Sequence, residues 1–180
     1  LSLVHRLDRE TSGVLVLTKR RSELRRLHEA FREGRVSKVY QALVVGHWSL
    51  GTIDIDAPLA VNERRGGERH VVVSKAGKAS LTKVMPTEMR KAGSLVTVHP
   101  QTGRTHQIRV HLQHRGHPIV GDSRYGDPDD NRRLKRLGAG RLCLHAQSIA
   151  FADEHGGERM FTAPLPEDFE TAMDAVFRAS

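Results

Sequence analysis

His70-Val71-Val72-Val73-Ser74-Lys75-Ala76-Gly77-Lys78-Ala79-Ser80-Leu81-Thr82-Lys83-Val84 sets two strand-like runs, 70–73 and 79–84, on either side of a glycine turn. A third run, 95–98, follows a turn at Gly93. Three strand signals in succession, with no helical period between them, predict antiparallel neighbours. A parallel pair would need a crossover of a dozen or more residues between its strands.

The same alternation can be followed outward. Upstream, 39–45 is another strand-like run. Before it lies a helix over about 22–31, capped by Ser22, carrying Leu24, Leu27 and Phe31 on one face and stopped by Gly34. Val14-Leu15-Val16-Leu17 is a short apolar run that predicts a buried strand. The polar stretch 62–69, with Arg64-Arg65-Gly66-Gly67, predicts an exposed loop. Downstream, Thr105 is positioned to cap a helix ending near Arg115, before Gly116 and Pro118. Then come a basic loop with a short helix over 126–140, a strand over 142–151, and a last helix over 167–177 with Phe169, Met173 and Val176 inward. Strands outnumber helices and do not alternate with them, which predicts an α+β domain with a largely antiparallel sheet flanked by helices.

With 180 residues, the chain is long enough for one hydrophobic core, and we read 1–180 as one domain. It opens on Leu1 within an apolar stretch, as a segment cut from a longer protein would. Twenty-nine basic against twenty-one acidic side chains give a net charge of +8, which points to a polyanionic partner. The single cysteine, Cys143, lies in an apolar run and is expected to be an inert core residue, which excludes an internal disulfide framework and fits a reducing, cytoplasmic setting. No apolar run approaches the roughly 20 residues that span a bilayer. Nothing in the pattern suggests an obligate dimer seam, so a monomer is expected.

Two clusters carry chemistry. In His5-Arg6-Leu7-Asp8-Arg9-Glu10-Thr11-Ser12-Gly13, Asp8 sits between Arg6 and Arg9, and neighbouring cations favour an ionised carboxylate able to act as a nucleophile. Read locally and alone, Asp8 is first of all a salt-bridged loop aspartate. In Thr102-Gly103-Arg104-Thr105-His106-Gln107-Ile108-Arg109-Val110-His111, helix amides and Arg104 suit a phosphate, while Arg104 and Arg109 also read as solvated helix charges. Tyr40, in the strand 39–45, can stack on a base or close the edge of a core.

Metal chemistry is not indicated. His106 and His111 are five apart without the glutamate of a zinc protease motif, and Asp127, Asp129 and Asp130 read as a solvated loop. No Gly-Lys-Ser/Thr follows the glycine pairs, which excludes a P-loop.

Taken in order, these pieces resemble the RluA-type pseudouridine synthase family. The match runs through His5-Arg6-Leu7-Asp8, Thr11-Ser12-Gly13, Lys38-Val39-Tyr40 with Gly46, and Gly103-Arg104-Thr105-His106-Gln107-Ile108-Arg109-Val110-His111. It continues through Gly116-His117-Pro118-Ile119, Gly121-Asp122, Arg124-Tyr125-Gly126, Leu144-His145-Ala146 and Ala163-Pro164-Leu165-Pro166. Ala57-Pro58-Leu59, Gly67-Glu68-Arg69 and Gly77-Lys78-Ala79 resemble the RluC-type branch that acts on large-subunit ribosomal RNA, with transfer RNA as the alternative substrate.

The resemblance implies a central antiparallel sheet with a cleft along it. It makes Asp8 the catalytic aspartate, Tyr40 the aromatic against the target base and Arg109 the arginine paired with the aspartate. Arg6 would fill the space of a flipped base, and Leu144 would line the pocket. It implies no cofactor and no metal. Relatives often carry a Lys-Pro segment and an S4-like domain upstream of the region matched here. Two rivals from other classes are a catalytically silent RNA-binding or ribosome-assembly domain, and a metal-dependent nuclease or phosphotransferase.

Overall fold

The computed structural model describes residues 1–63 and 67–179. Its elements follow the chain as β1 (Ser2–Leu3), β2 (Ser12–Gly13), β3 (Leu17–Thr18), α1 (Arg21–Arg32), β4 (Ser37–Val45), β5 (Ile53–Asp56), β6 (Leu59–Glu63) and β7 (Arg69–Val73). They continue as β8 (Leu81–Met89), β9 (Gly93–Pro100), α2 (Gln107–His114), α3 (Pro128–Arg136), β10 (Leu144–Ala152), β11 (Glu158–Thr162) and α4 (Glu167–Arg178). The fold is α+β. The main sheet runs β11-β10-β4-β9-β8-β5 with every pair antiparallel, and β2 adds a short parallel pairing to β10.

Strand β4 is central because its sequence suits two covered faces. Ala42, Leu43 and Val44 are all 0% exposed, so consecutive side chains, which must point to opposite faces, both meet core. The main core gathers these with Val96 and Val98 of β9, Ile108 and Leu112 of α2, Leu134 of α3, and Phe169, Ala172 and Val176 of α4. Cys143 is fully buried there, and burial pushes its thiol up to about 12, which keeps it an unreactive core group. No helix among the described residues is long and apolar enough to cross a membrane.

Several expectations change. Val14-Leu15-Val16-Leu17 is not a buried strand: only Leu17 joins β3, which pairs with the two-residue β1, and Leu15 and Leu17 face solvent. Val14 and Val16 alone turn inward, onto Ala30, Val36 and Ile149. A run of four apolar residues at a sheet edge has only one face to bury, and periodicity cannot reveal that. The ends of the expected loop 62–69 are strand instead, with Asn62 opposite His70 and Glu63 opposite Arg69. Residues 64–66, Arg64-Arg65-Gly66, lie outside the described residues. Gly93 opens β9 rather than forming a turn before it.

Neither Ser22 nor Thr105 caps a helix. Arg20 and His106 hold the N-cap positions of α1 and α2, without side-chain caps. Asp127 does act as a cap, accepting hydrogen bonds from the amides of Asp129 and Asp130 at the start of α3, where solvation alone was expected. Arg132 and Arg133 pair with Asp129 and Asp130 on that same exposed helix.

Candidate active site

The loop bearing Asp8 is fixed from behind. Gly13 takes φ 121° in β2, and a Cβ there would stand 2.2 Å from the Ala146 carbonyl oxygen, so only glycine lets β2 lie against β10. Beside it, Arg141 Nη2 donates to Ser12 Oγ at 2.8 Å. Ser12 Oγ in turn donates to His145 Nδ1 at 2.8 Å, and His145 Nε2 donates to the Ala163 carbonyl at 2.9 Å. Residues 12, 141, 145 and 163, far apart in sequence, thus lock the segment that follows the aspartate.

Helix α2 presents two polar faces. Gln107 and His111, one turn apart, bolt it to the sheet. Gln107 Nε2 donates to the Leu81 carbonyl at 3.0 Å, and His111 Nδ1 lies 2.7 Å from Thr82 Oγ1 while Nε2 donates to the Ala57 carbonyl at 2.9 Å. Burial holds the His111 imidazole neutral. Arg109, on the opposite side of the helix, reaches the cleft.

Arg109 joins two carboxylates. Its Nε and Nη2 donate to the two oxygens of Asp122 at 2.8 Å each, and its Nη1 donates to Asp8 Oδ2 at 3.3 Å. Asp122 is fully buried and also accepts the amides of Arg124 and Tyr125, at 3.0 Å each. Burial alone would raise its pKa, but the arginine and the two amides outweigh that and hold it below the ordinary carboxylate range. Burial likewise works against the charge on Arg109, and the two aspartates more than offset it, so its pKa is raised. Gly121, at φ 79°, lets the chain pass against the Arg141 carbonyl and brings Asp122 under the helix.

Above this pair the Tyr125 ring covers the guanidinium at 5.1 Å. The Val71 amide of β7 donates to the Tyr125 hydroxyl at 3.0 Å, and that hydroxyl shares a hydrogen bond with His106 Nδ1 at 2.6 Å. His106 has φ 54°, a left-handed backbone that histidine adopts more readily than most residues. Burial, helped by Arg109 and Arg124, keeps its imidazole neutral against the pull of Asp8.

The result is one cleft of about 750 Å³. Asp8, Tyr40, Arg109, Arg6, Arg104 and Leu144 all line it, so the residues assigned to the site from sequence face the same space. Arg6 and Arg104 are at its exposed rim. The cation bonded to Asp8 is Arg109, 101 residues away, rather than the adjacent Arg6 or Arg9. Burial, with Asp8 nearby, pushes the Tyr40 hydroxyl up to about 12, so the ring presents a neutral phenol. No group of three metal-ligating side chains is found among the described residues.

Comparison with known proteins places this arrangement. The family model described as RNA pseudouridylate synthase matches residues 1–114, the stretch that carries Asp8, Tyr40 and Arg109. The chain belongs to the RNA pseudouridylate synthase family. Among curated relatives, it is 50% identical over 174 residues to ribosomal large subunit pseudouridine synthase C of Haemophilus ducreyi, covering 96% of this chain and 54% of that protein. It is 47% identical over 182 residues to the protein of the same name from Escherichia coli, covering 99% of this chain and 57% of that protein. The chain therefore spans just over half the length of these relatives. The solved structure of human RNA pseudouridylate synthase domain containing 1 superposes with a TM-score of 0.80 at 29% identity, covering 92% of this chain and 69% of that one.

Within the family motif, sequence reading left four cleft-side residues without a role. Asp122 and Tyr125 stood in quoted motifs, and only their contacts to Arg109 reveal what they do. His106 and Lys38 stood in such motifs too and line the cleft, and neither spacing nor charge gave them a role there beforehand.

Proposed function

We propose that this chain is the catalytic part of an enzyme that isomerises uridine to pseudouridine in large-subunit ribosomal RNA. The observation that carries the reading is the Asp8–Arg109 contact in the wall of a basic cleft, with Tyr40 beside it. Arg109 occupies Asp8 Oδ2, which leaves Oδ1 for substrate. The names of the curated relatives support ribosomal RNA as the substrate class.

The target uridine leaves its stack at a cost of a few kcal/mol and enters the cleft. Arg6 takes the space it vacated, Tyr40 packs against its base, and Arg104 at the rim holds a phosphate. The Asp8 carboxylate either assists deprotonation at the ribose carbon next to C1′, expelling the uracil, or attacks C1′ itself. On the second route a carboxylate oxygen–C1′ bond forms, the C1′–N1 bond breaks, and the uracil leaves with the electron pair. The uracil turns within the cleft and C5 bonds to C1′, with the proton returned to the ribose on the first route or the carboxylate displaced on the second. Loss of the C5 proton and protonation of N1 complete pseudouridine. Arg109 donates to Asp8 Oδ2 and so pairs with the carboxylate before attack and again when it departs. No electron or phosphoryl group is transferred, so the chemistry calls for neither cofactor nor metal.

Unmodified large-subunit ribosomal RNA carrying tritium at C5 of uracil tests this directly. Release of tritium to water is expected. Tight binding without release from ribosomal or transfer RNA would favour the silent RNA-binding domain, and release from transfer RNA alone would reassign the substrate.

A further inference from the structure

Lys38 stands two residues before Tyr40 on β4, so both side chains leave the same face of the strand, roughly 7 Å apart. Both line the cleft. The Lys38 ammonium lies 5.9 Å from the centre of the Phe31 ring, and no ion pair ties it to a carboxylate among the described residues. Across from it, the loop before α2 presents Gly103, where a Cβ would stand 3.4 Å from Lys38 Nζ. The ammonium therefore faces bare backbone and cleft. Its neighbour His5 stacks on the other part of the same apolar patch, 5.3 Å from Phe31 at 21°. The Val16 amide donates to His5 Nε2 at 3.0 Å, which fixes the ring proton on Nδ1.

A desolvated ammonium without a counter-ion is costly, and burial duly lowers the pKa of Lys38. Burial, and then Lys38 itself, lower that of His5. An anion arriving between them would relieve both. We propose that Lys38 Nζ, the His5 Nδ1–H and the open backbone at Gly103 form a phosphodiester subsite that grips the RNA backbone beside the target nucleotide. The proposal rests on the RNA-modifying reading above, which puts the base on Tyr40 and hence a neighbouring phosphate one strand repeat away. It is distinct from the Arg104 contact at the rim, because Lys38 lies inside the cleft, next to the base position.

The test uses the full chain and a uridine-containing RNA stem–loop, with affinity measured against salt concentration. Lys38→Met keeps the stem on Phe31 and removes the charge. It should lose roughly tenfold in affinity and flatten the slope of log affinity against log salt by about 0.7–0.9, the value of one released counter-ion. Lys38→Arg should restore the slope. Gly103→Ala sets a methyl in van der Waals contact with the ammonium and partly covers the open backbone, and should cost affinity in the same direction but less. A methylphosphonate at one phosphate flanking the target uridine should weaken wild type and leave Lys38→Met unaffected. An unchanged affinity and slope in Lys38→Met, or a methylphosphonate effect equal in both proteins, overturns the subsite. Tritium release by wild type in the same preparation separates the two readings: release with an unchanged slope sinks only the subsite, and a flattened slope without release sinks only the catalytic assignment.

Discussion

Arg109 and Arg132 each face an aspartate, yet they belong to different physical regimes. The Arg109–Asp122 pair is 9% and 0% exposed, is bidentate, and has Asp8 as a third member. The Arg132–Asp129 pair is 65% and 86% exposed and joins neighbours one turn apart on α3. Water screens the second pair and can replace either partner. Nothing replaces either partner of the first. The comparison teaches that the weight of an ion pair here is set by which carboxylate the fold delivers to it, and how dry the meeting place is.

That contrast can be attacked at several points. Asp122→Ala should have the largest effect on folding, because it strands a buried guanidinium; denaturant unfolding should show a loss of about 3–5 kcal/mol. Replacing both partners, Asp122→Leu with Arg109→Met, should recover much of that stability while turnover stays low, since apolar groups of similar size fill the space but cannot hold Asp8. The folded pKa of Asp122 lies below its unfolded value. Its contribution is therefore present in full above the unfolded value of about 3.9 and is lost as pH falls through the folded one. The stability gap between wild type and Asp122→Asn should accordingly narrow below about pH 4.

Tyr40 sharpens the picture on the substrate side. Tyr40→Ala should weaken RNA binding by about 1–3 kcal/mol, as loss of a stacked base does, whereas Tyr40→Phe should keep most of it. Its hydroxyl, raised to about 12, should leave no inflection in the rate profile below pH 10. The smallest effect belongs to the exposed pair: Arg132→Ala should move stability by no more than about 0.5 kcal/mol. A larger loss there would erase the distinction between the two arginines.

Much of the scaffold can be read from residues alone, because β4, β7, β8, β9, β10 and α4 each carry a period that matches a buried face. Edge elements cannot be read so. Strand β6 runs into the polar stretch that reads as a loop, and β11 is exposed along its whole length, so the sequence pattern marks neither as a strand. At the site, the ordered motifs singled out Asp8, Tyr40 and Arg109, and the fold brings them to one cleft. The local charge pattern offers Arg6 and Arg9 to Asp8, whereas the resemblance implied Arg109, and the bonded cation is Arg109 from α2. What remained hidden was the rest of the partnering. Asp122 becomes the second anchor of Arg109 only once the chain turns at Gly121. Such contacts are fixed by topology, and no local pattern encodes them.

The central claim is that Asp8 acts chemically and is not merely one pole of an ion pair. The most direct measurement is tritium release from C5-labelled large-subunit ribosomal RNA by wild type and Asp8→Asn side by side, with RNA affinity measured for both. The account predicts release by wild type, none by Asp8→Asn, and affinities that agree within a few fold. Undiminished release by Asp8→Asn would contradict it.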